Sequence, residues 1–554
     1  MMSRAIGIVL GALVWAPLFK GYALANDLAR DRDPVVLAGA ALSGLLGAEP
    51  ARVVGFRYQG GWIQFPVQVD ERTVVDFSQI YNNPPPYSGF TILTYADAST
   101  FTGPDPDATF DADDELVFMA KDAGSIQATV PGPPGTVSGS GLELVVLNPL
   151  SATVGYVYLF RSDGSLDPGI GPDPVTYSFF LLPSGLPYKT QYNTQSGPNP
   201  ENTFVTSANY SVHFSDRWIC NETRITSPGA TGVDILDRRK ALFAPGSCTR
   251  SEQTFSNGEG ALIVNRQGAV RTLRGYCGAN SGPTTYRIHA FYEAREDILT
   301  ALRVHAIPGI MDFFDYSPDA AGMTYRNDLN PAGVTIDGVP DLVTLGPIGW
   351  EMVTGSQGTL VMTGGVDTDI SGFSYTSYYQ DLSPAGGQCT GDNSEYGASG
   401  LRVASNIPNT DPALGAYNIL EATRVIAYDG PNQDVAFAQA RAMEAQNPLT
   451  ATVAPYVPTT SVGGPAASAF RLTLGPQPIR SRARVSLTLP EAGALSLRVH
   501  DATGRLMAVL ADGWWPAGSH DLMWNASGLR NGVYFVRASV AGQGERIASV
   551  VRIR

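Results

Sequence analysis

The stretch Arg484-Val-Ser-Leu-Thr-Leu489 alternates apolar and polar side chains, and Leu495-Ser-Leu-Arg-Val-His500 repeats the alternation shortly afterwards. In a β-strand, a period of two places alternate side chains on opposite faces, so one face packs on a core while the other meets water. Turn-forming residues separate further strand candidates at intervals of about ten residues up to the C-terminus. Segment 469–554 is therefore predicted to form an immunoglobulin-like β-sandwich of about seven strands.

Strand-like runs also dominate the preceding sequence, and helical patterns are limited to 434–445 and a short stretch at 38–46. The chain has 554 residues, of which only 16% are charged, and it contains 60 Gly and 40 Pro. This length exceeds what one hydrophobic core supports, and the composition suits strands joined by turns. The predicted fold class is mainly β, a multidomain β-sandwich protein with a C-terminal immunoglobulin-like sandwich.

Composition also indicates where the chain divides. Residues 451–468 carry no charge and are rich in Pro, Gly, Ser and Thr, which is the composition of an extended linker. The turn-rich sequence near 182–187 marks an earlier boundary. The predicted parts are a signal peptide at 1–25, a β-sandwich domain at 26–185, a β-rich domain ending in a helix at 186–448, a linker at 449–468, and the C-terminal sandwich at 469–554.

The N-terminus has the features of a secretory signal peptide. Arg4 supplies a positive charge, an uncharged apolar run follows at 5–19, and Ala23-Leu24-Ala25 offers a small-x-small cleavage site before Asn26. The apolar run is short for a membrane span, and Pro17 interrupts it. The protein is therefore expected to be secreted or held at the outer cell surface, with no transmembrane span after cleavage.

Five short motifs follow one another in the C-terminal segment, namely Leu489-Pro490-Glu-Ala-Gly493, Val499-His-Asp501-Ala-Thr-Gly504-Arg505, Ala517-Gly518-Ser-His520, Trp524-Asn525 and Asn531-Gly532-Val533-Tyr534-Phe535. This succession resembles the C-terminal sorting domain of type IX secretion cargo, which is related to the immunoglobulin-like domain of flagellar hook-capping proteins. The resemblance covers 466–554, and it departs from the family pattern at Trp524-Asn525-Ala526, where Trp-Asp-Gly is usual. It implies recognition by outer-membrane secretion machinery, followed by cleavage of the domain or its exchange for a surface glycolipid. A purely structural immunoglobulin-like domain is the alternative.

The four cysteines all lie in the central region, and an even number in an exported chain predicts two disulfides. None forms the Cys-x-x-Cys spacing of a zinc or thioredoxin-like site. Three pairings are possible, and the pairing with the shortest first loop is favoured. That pairing joins Cys220 to Cys248 and Cys277 to Cys389.

The net charge of the chain is −14, but the charge is unevenly distributed. From residue 466 onward there are eleven arginines and five acidic residues, a balance of +6, so the preceding sequence carries −20. An acidic body repels nucleic acid phosphates, which argues against binding to nucleic acid.

One acidic loop has the composition of a calcium site. Oxygen-bearing side chains fall at nearly every second position from 105 to 115, and calcium takes six to eight oxygen ligands. The loop lacks the central glycine of an EF-hand, and a solvated acidic turn is the alternative. The predicted ligands are Asp105, Asp107, Asp111, Asp113 and Asp114.

Tyrosines in polar or Pro-rich loops suggest a carbohydrate surface, because a flat aromatic face beside amide and carboxylate groups can hold a sugar ring. The predicted binding residues are Tyr81, Tyr87, Tyr375 and Tyr378. Tyrosine is also common in β-proteins as strand or loop-anchoring material. On this basis the body is predicted to be a non-catalytic binding or structural module, with polysaccharide as the leading ligand.

The alternative prediction is a secreted polysaccharide-degrading enzyme, a glycosidase or a lyase. Glycoside hydrolysis needs a pair of carboxyl groups, which could come from Asp312, Asp315, Asp319, Glu293 and Glu296. The body histidines could act in acid–base chemistry, although histidines packed on a sheet are the more common case; they are His213, His289 and His305. No Gly-x-Ser-x-Gly, phosphate-binding loop, dinucleotide fingerprint or His-Glu-x-x-His occurs, which argues against those enzyme classes.

Overall fold

The computed structural model describes residues 28–77, 91–182, 200–244, 250–256, 260–278, 285–302, 306–385, 389–408, 420–458, 470–475, 479, 481–501, 505–540 and 544–552. Strands account for 54% of the structure and helices for 7%. The prediction of a mainly β, multidomain sandwich protein is confirmed. The predicted signal peptide lies outside the described residues. No helix within the described ranges is both long and apolar enough to cross a bilayer.

The first part of the described chain is a small antiparallel sandwich. Its strands are β1 (Pro34–Ala38), β2 (Val53–Tyr58), β3 (Trp62–Phe65), β4 (Gln68–Asp70), β5 (Arg72–Asp76), β6 (Thr91–Tyr95), β7 (Glu115–Met119), β8 (Leu142–Leu147) and β9 (Val154–Arg161). One sheet has the order β1-β7-β4, a second contains β8-β9-β2-β3, and β5 pairs with β6. Side chains such as Val35, Val53, Phe118 and Leu144 form its core. Single 3-10 turns occur at Gly39–Ala41, Pro50–Arg52 and Ala120–Asp122.

The central body contains most of the strands. They are β10 (Val175–Ser178), β11 (Pro200–Ser207), β12 (Tyr210–Asp216), β13 (Ile219–Ile225), β14 (Leu236–Phe243), β15 (Ala261–Arg266), β16 (Thr272–Cys277), β17 (Tyr286–Tyr292), β18 (Arg295–Ala301), β19 (Ile310–Tyr316), β20 (Thr324–Asn327), β21 (Val334–Thr335), β22 (Trp350–Gly355), β23 (Gly358–Thr368), β24 (Thr376–Leu382), β25 (Glu395–Val403) and β26 (Leu420–Asp429). The helices are α1 (Glu252–Ser256) and α2 (Val435–Gln446), with a 3-10 turn at Pro318–Ala320.

Within the described ranges these strands form three sheets. A large sheet has the order β15-β16-β17-β18-β26-β23-β22-β20-β21, and smaller sheets have the orders β14-β19-β25-β24 and β10-β11-β12-β13. Residues of the large sheet such as Val353 and Ile426 share one core with Phe314 and Tyr316 of β19, so the large sheet and the β14-β19-β25-β24 sheet pack face to face. Because β10 pairs with β11, the body includes residues from Val175 onward and does not begin at the predicted 186.

Helix α2 covers the other face of the large sheet. The side chain of Asp434 accepts a hydrogen bond from the Phe437 N–H at 2.9 Å, which caps the helix as the sequence predicts. Ala438 and Ala442 are buried against a patch that includes Trp350 of β22. The predicted helix at 434–445 is therefore confirmed to within one residue at each end.

The predicted linker at 449–468 needs correction. Its first residues form β27 (Thr450–Pro455), which pairs antiparallel with β8 and completes the first sandwich's sheet as β27-β8-β9-β2-β3. Ala451 and Val453, two positions apart on β27, pack against the core of that sandwich. An uncharged sequence that contains Thr and Val suits an edge strand as well as a linker. Only the presence of a partner strand distinguishes these two structures. Residues 459–469 lie outside the described residues.

The C-terminal segment is a separate two-sheet sandwich. Its described strands are β28 (Arg471–Leu474), β29 (Arg482–Leu489), β30 (Gly493–Asp501), β31 (Leu506–Trp515), β32 (Gly518–Asn525), β33 (Gly532–Val540) and β34 (Gly544–Arg552). The sheet orders are β28-β29-β32 and β31-β30-β33-β34. Val485 and Leu487 from β29 and Leu497 from β30 are fully buried, together with Trp524 from β32. The predicted alternation and immunoglobulin-like arrangement are confirmed here.

The predicted disulfide pairing is wrong. Cys220 and Cys277 are buried free thiols, so neither Cys220–Cys248 nor Cys277–Cys389 exists. Both thiols lie inside hydrophobic clusters, where cysteine behaves as a small apolar side chain. Cys389 is disulfide-bonded, and Cys248 lies outside the described residues.

Candidate functional site

A cleft lies between the large sheet and the β14-β19-β25-β24 sheet. Its first cavity is lined from β22, β23 and β26 on one side and from β19, β24 and β25 on the other. Its second cavity is lined by residues of β14, β17 and β18 together with Trp218 and Phe255. Asp312, Leu401 and Ala422 line both cavities, so the two adjoin there. We call the two cavities together the inter-sheet cleft.

Strand periodicity brings charged side chains into this cleft. Asp312 precedes the core residue Phe314 by two positions on β19, and Arg424 precedes the core residue Ile426 by two positions on β26. Side chains two apart on a strand share a face, so the inward face of each strand is apolar in the core and polar where it reaches the cleft. Glu351 stands in the same relation to Val353 on β22.

Two arginines hold the carboxylate of Asp312. The Arg287 guanidinium lies 3.4 Å from Asp312 Oδ2 and the Arg424 guanidinium lies 3.7 Å from the same oxygen. Arg424 also donates to the backbone carbonyl of Asp312. Burial raises the pKa of Asp312, but Arg424 and Arg287 lower it more, so this pKa falls below its ordinary value. Asp312 is therefore ionised at neutral pH and fixed in position.

Glu351 has the opposite protonation preference in the same cavity. Burial raises its pKa to about 7, and the nearby Arg424 only partly offsets this effect. The Tyr325 hydroxyl donates to Glu351 Oε2 at 3.4 Å. The first cavity therefore presents an ionised carboxylate and a carboxyl group that holds a proton up to near neutral pH.

Aromatic side chains form part of the cleft wall. Tyr375 lines the first cavity and is partly exposed. Trp218 lines the second cavity, where the Arg287 guanidinium lies 5.4 Å from its ring centroid. The Trp218 indole N–H donates to the Gly278 carbonyl at 2.9 Å, which fixes the ring.

A buried polar network lies behind the cleft. Both oxygens of Glu296 accept from the Arg239 guanidinium, at 2.6 and 2.8 Å, and Tyr428 donates to Oε2 at 2.9 Å. His289 bridges Glu296 through Nδ1 at 2.8 Å and the Tyr276 hydroxyl through Nε2 at 2.9 Å. Burial lowers the pKa of His289 to about 4, so its imidazole is neutral at pH 7.

The network joins the cleft through one aromatic ring. The guanidinium groups of Arg239 and Arg424 lie 4.9 and 5.5 Å from the centroid of Phe314. His289 lines neither cavity, and its ring packs on those of Phe214 and Phe291, with 5.4 and 5.5 Å between ring centroids. Sequence reasoning missed Arg239, Arg287 and Arg424, because an arginine in a strand gives no signal of its distant partner.

The five carboxyl groups predicted as catalytic candidates lie at different places in the structure. Only Asp312 lines the cleft. Asp315 is fully buried, contacts Lys240, and has its pKa raised to about 8 by burial. Glu296 belongs to the buried network, Glu293 pairs with Lys121, and Asp319 is exposed beyond β19.

The predicted tyrosines and the remaining histidines also lie at different places. Tyr375 lines the cleft, whereas Tyr378 faces the other side of β24, packs on Phe313 at 5.0 Å between ring centroids, and donates to Glu395 at 3.1 Å. His213 bonds two asparagine side chains on the β10-β11-β12-β13 sheet. Tyr81, Tyr87 and His305 lie outside the described residues.

The acidic loop brings three of its five predicted ligands together. Ligand atoms of Asp111, Asp113 and Asp114 lie within 4.8 Å of one another. Asp114 accepts from the backbone N–H groups of Arg72 and Asp111 at 2.8 and 2.9 Å, and burial raises its pKa to about 6. Asp105 and Asp107 accept instead from backbone groups of the turn at 107–109. Calcium binding by this loop stays a prediction.

Comparison with known proteins gives no family. No family model matches the chain, and no curated protein matches it. Similar solved structures include a glycosyl hydrolase family 38 protein of Enterococcus faecalis, with 8% identity, a TM-score of 0.35 and coverage of 86% of this chain and 52% of that one. An α-mannosidase from E. faecalis V583 has 8% identity, a TM-score of 0.36 and coverage of 86% and 51%. A polysaccharide lyase has 7% identity, a TM-score of 0.23 and coverage of 63% and 47%.

The chain therefore spans about half the length of these structures. Similarity at these identities and TM-scores assigns neither a shared fold nor an activity to the chain. The chemistry of the inter-sheet cleft follows from its own residues.

Proposed function

We propose that the body binds carbohydrate in the inter-sheet cleft. The observation that carries this proposal is the Arg287–Asp312–Arg424 arrangement, which places fixed charged hydrogen-bonding groups where the two cavities adjoin. Carbohydrate sites combine such convergent polar groups with aromatic faces, and here Tyr375 supplies a partly exposed ring.

The two adjoining cavities favour an oligosaccharide or polysaccharide over a single small sugar. A ligand that occupies both would pass Asp312, which lines each of them. The remainder of the second cavity is strongly apolar, with Phe243, Ile310 and Val403 among its lining residues. Apolar walls suit the C–H faces of sugar rings, while the arginines and Asp312 provide partners for hydroxyl groups.

A polysaccharide-degrading enzyme is the second candidate, and one observation favours it. Glu351 and Asp312 line the same cavity with pKa values shifted in opposite directions. Such a pair suits a general acid and a carboxylate base or nucleophile. In this scheme Glu351 would donate its proton to the glycosidic oxygen as the C–O bond breaks, and Asp312 would assist the attacking water or bond to the sugar carbon.

We further propose that the chain is exported and that its C-terminal sandwich is the sorting domain. Support comes from the sequence motifs and from the seven-stranded arrangement of the described C-terminal residues. The proposed destination is the outer cell surface or the medium, and the proposed partner is the outer-membrane secretion machinery.

The experiment that tests the binding proposal exposes the purified chain to a panel of neutral and acidic polysaccharides. Retention on each polymer and new reducing ends are scored together. Retention that is lost in Tyr375→Ala supports binding in the cleft, and Tyr378→Ala is the matched control because that ring faces away from the cleft. New reducing ends that disappear in Glu351→Gln support the enzyme. No retention and no cleavage on any polymer would contradict both candidates.

A further inference from the structure

A second group of acidic side chains lies on the β14-β19-β25-β24 sheet, away from the inter-sheet cleft. Asp237 lies in β14, Asp315 lies in β19, and Asp392 lies in the segment that leads into β25. One carboxylate oxygen from each lies within 4.8 Å of the other two. The three residues are far apart in sequence, so the fold itself creates this concentration of negative charge.

Asp315 is the unusual member of this group. Its side chain has no exposed surface, and its Oδ1 atom accepts no hydrogen bond from the described residues. The Lys240 ammonium contacts the other oxygen, Oδ2. A buried carboxylate oxygen without a partner loses its hydration and gains nothing in return, so such an atom indicates that a ligand is missing beside it.

Lys240 does not supply enough positive charge for this group. Its Nζ lies 3.9 Å from Asp237 Oδ2 in addition to its contact with Asp315. The Arg238 guanidinium adds a second positive charge near Asp237. Glu395 in turn lies close enough to Asp315 to add further repulsion, so four acidic groups face two basic ones. Excess negative charge in a largely buried position is costly unless a cation compensates it.

The segment before β25 approaches the group closely. Asp392 N–H donates to Asp237 Oδ2 at 3.2 Å, and a Cβ added at Gly391 would lie 1.9 Å from that same oxygen. Gly391 also has a φ of +79°, so a side chain is excluded by both space and conformation.

We propose that a hard divalent cation, calcium, binds between Asp237, Asp315 and Asp392 and fastens the segment at 389–394 to the sheet. The ion would lie on the Oδ1 side of Asp315, because Lys240 contacts Oδ2. Calcium fits better than a transition metal because every donor is an oxygen, and better than magnesium because its coordination tolerates irregular donor positions. This site is independent of the carbohydrate proposal and distinct from the acidic loop at 105–115.

Calorimetric titration of calcium into the chelator-treated full chain tests the proposal, with a thermal melt at each calcium concentration. Asp392→Asn is the informative variant, because Asp392 is only half-buried and its amide keeps a similar shape. The expected result is at least a tenfold weaker affinity at one site and loss of the corresponding calcium-dependent rise in Tm. Asp315→Asn should have the same effect, and its circular dichroism spectrum reports whether it folds.

Asp113→Asn is the matched control, since it weakens the other acidic group and leaves this one intact. If the unmodified chain gives no heat and no Tm shift at millimolar calcium, the group binds no calcium and the proposal is overturned. It is equally overturned if Asp392→Asn binds calcium as tightly as the unmodified chain. A response that only Asp113→Asn removes would assign the calcium to the acidic loop and also contradict the proposal.

Discussion

Asp312 of β19 and Arg424 of β26 form an ion pair across the two facing sheets of the body, with 3.7 Å between Asp312 Oδ2 and the guanidinium. The pair lies where the first cavity of the inter-sheet cleft is lined from both sheets. It is only partly exposed, with 16% of the Asp312 side chain and 12% of the Arg424 side chain accessible. A ligand in the cleft would therefore meet charged groups that are already held in place.

Glu351 should make the stability of the body depend on pH. Burial raises its pKa from 4.5 to about 7, so the folded state binds a proton more tightly than the unfolded state. Its contribution is complete below about pH 4.5 and is lost as pH rises through 7, a difference of up to about 3 kcal/mol. Glu351→Gln should therefore flatten the pH dependence of the free energy of unfolding between pH 5 and 8, as measured with urea. An unchanged slope in this variant would contradict a raised pKa at Glu351.

Arg239 should be essential for stability because its removal leaves Glu296 buried without its main partner. Arg239→Met breaks the paired hydrogen bonds at 2.6 and 2.8 Å. Loss of one partner from a buried ion pair costs about 3–5 kcal/mol, which urea unfolding can measure. The control is Arg484→Met, which breaks the exposed pair with Asp521 and should change the unfolding free energy little. Equal effects of the two substitutions would refute the structural role of the network.

The two free thiols should be unreactive in the folded protein. Burial raises the pKa of Cys220 to about 11 and that of Cys277 to about 12, so almost no thiolate exists at pH 8. Alkylation with iodoacetamide followed by peptide mass spectrometry should label neither residue in the native chain and both residues after denaturation. Labelling of either cysteine under native conditions would contradict their burial. If either cysteine stays unlabelled after unfolding without reductant, it is not a free thiol.

Removal of the C-terminal sandwich should abolish delivery to the surface and leave the body folded. The truncation belongs after Pro458, since β27 at Thr450–Pro455 completes the sheet of the first sandwich. The C-terminal core is formed within 470–550, so the body keeps its own cores. Cell fractionation and surface proteolysis should find the truncated chain retained in the periplasm. Its appearance at the surface in normal amounts would rule out the sorting role.

The C-terminal sandwich was predictable because its information is local. Alternation in β29 and β30 marks which side chains are buried, and turn residues mark where each strand ends. Strand β27 was missed because its partner β8 lies some 300 residues earlier, and the composition of 450–455 suits a linker equally well. Pairing between distant strands leaves little trace in the sequence of either one.

The candidate site was only partly predictable for the same reason. Asp312 and Tyr375 could be named from their residue types, but Asp312 and Arg424 are 112 positions apart, and Glu296 and Arg239 are 57 positions apart. The prediction of two disulfides rested on the even number of cysteines. It failed because a residue count does not show that Cys220 and Cys277 lie in apolar cores. Glu351 carries no sequence signal either, since its raised pKa comes from burial between two sheets.

The most direct test of the central claim is the affinity of the chain for its best-retained polysaccharide, measured by calorimetry for the unmodified chain and for Arg424→Gln. Carbohydrate binding in the inter-sheet cleft predicts saturable binding that weakens at least tenfold in Arg424→Gln, because the variant loses the guanidinium and loosens Asp312. Tyr378→Ala, on the other side of β24, should bind as the unmodified chain does. Equal affinity of Arg424→Gln and the unmodified chain, or absence of saturable binding to any polysaccharide, would contradict the claim.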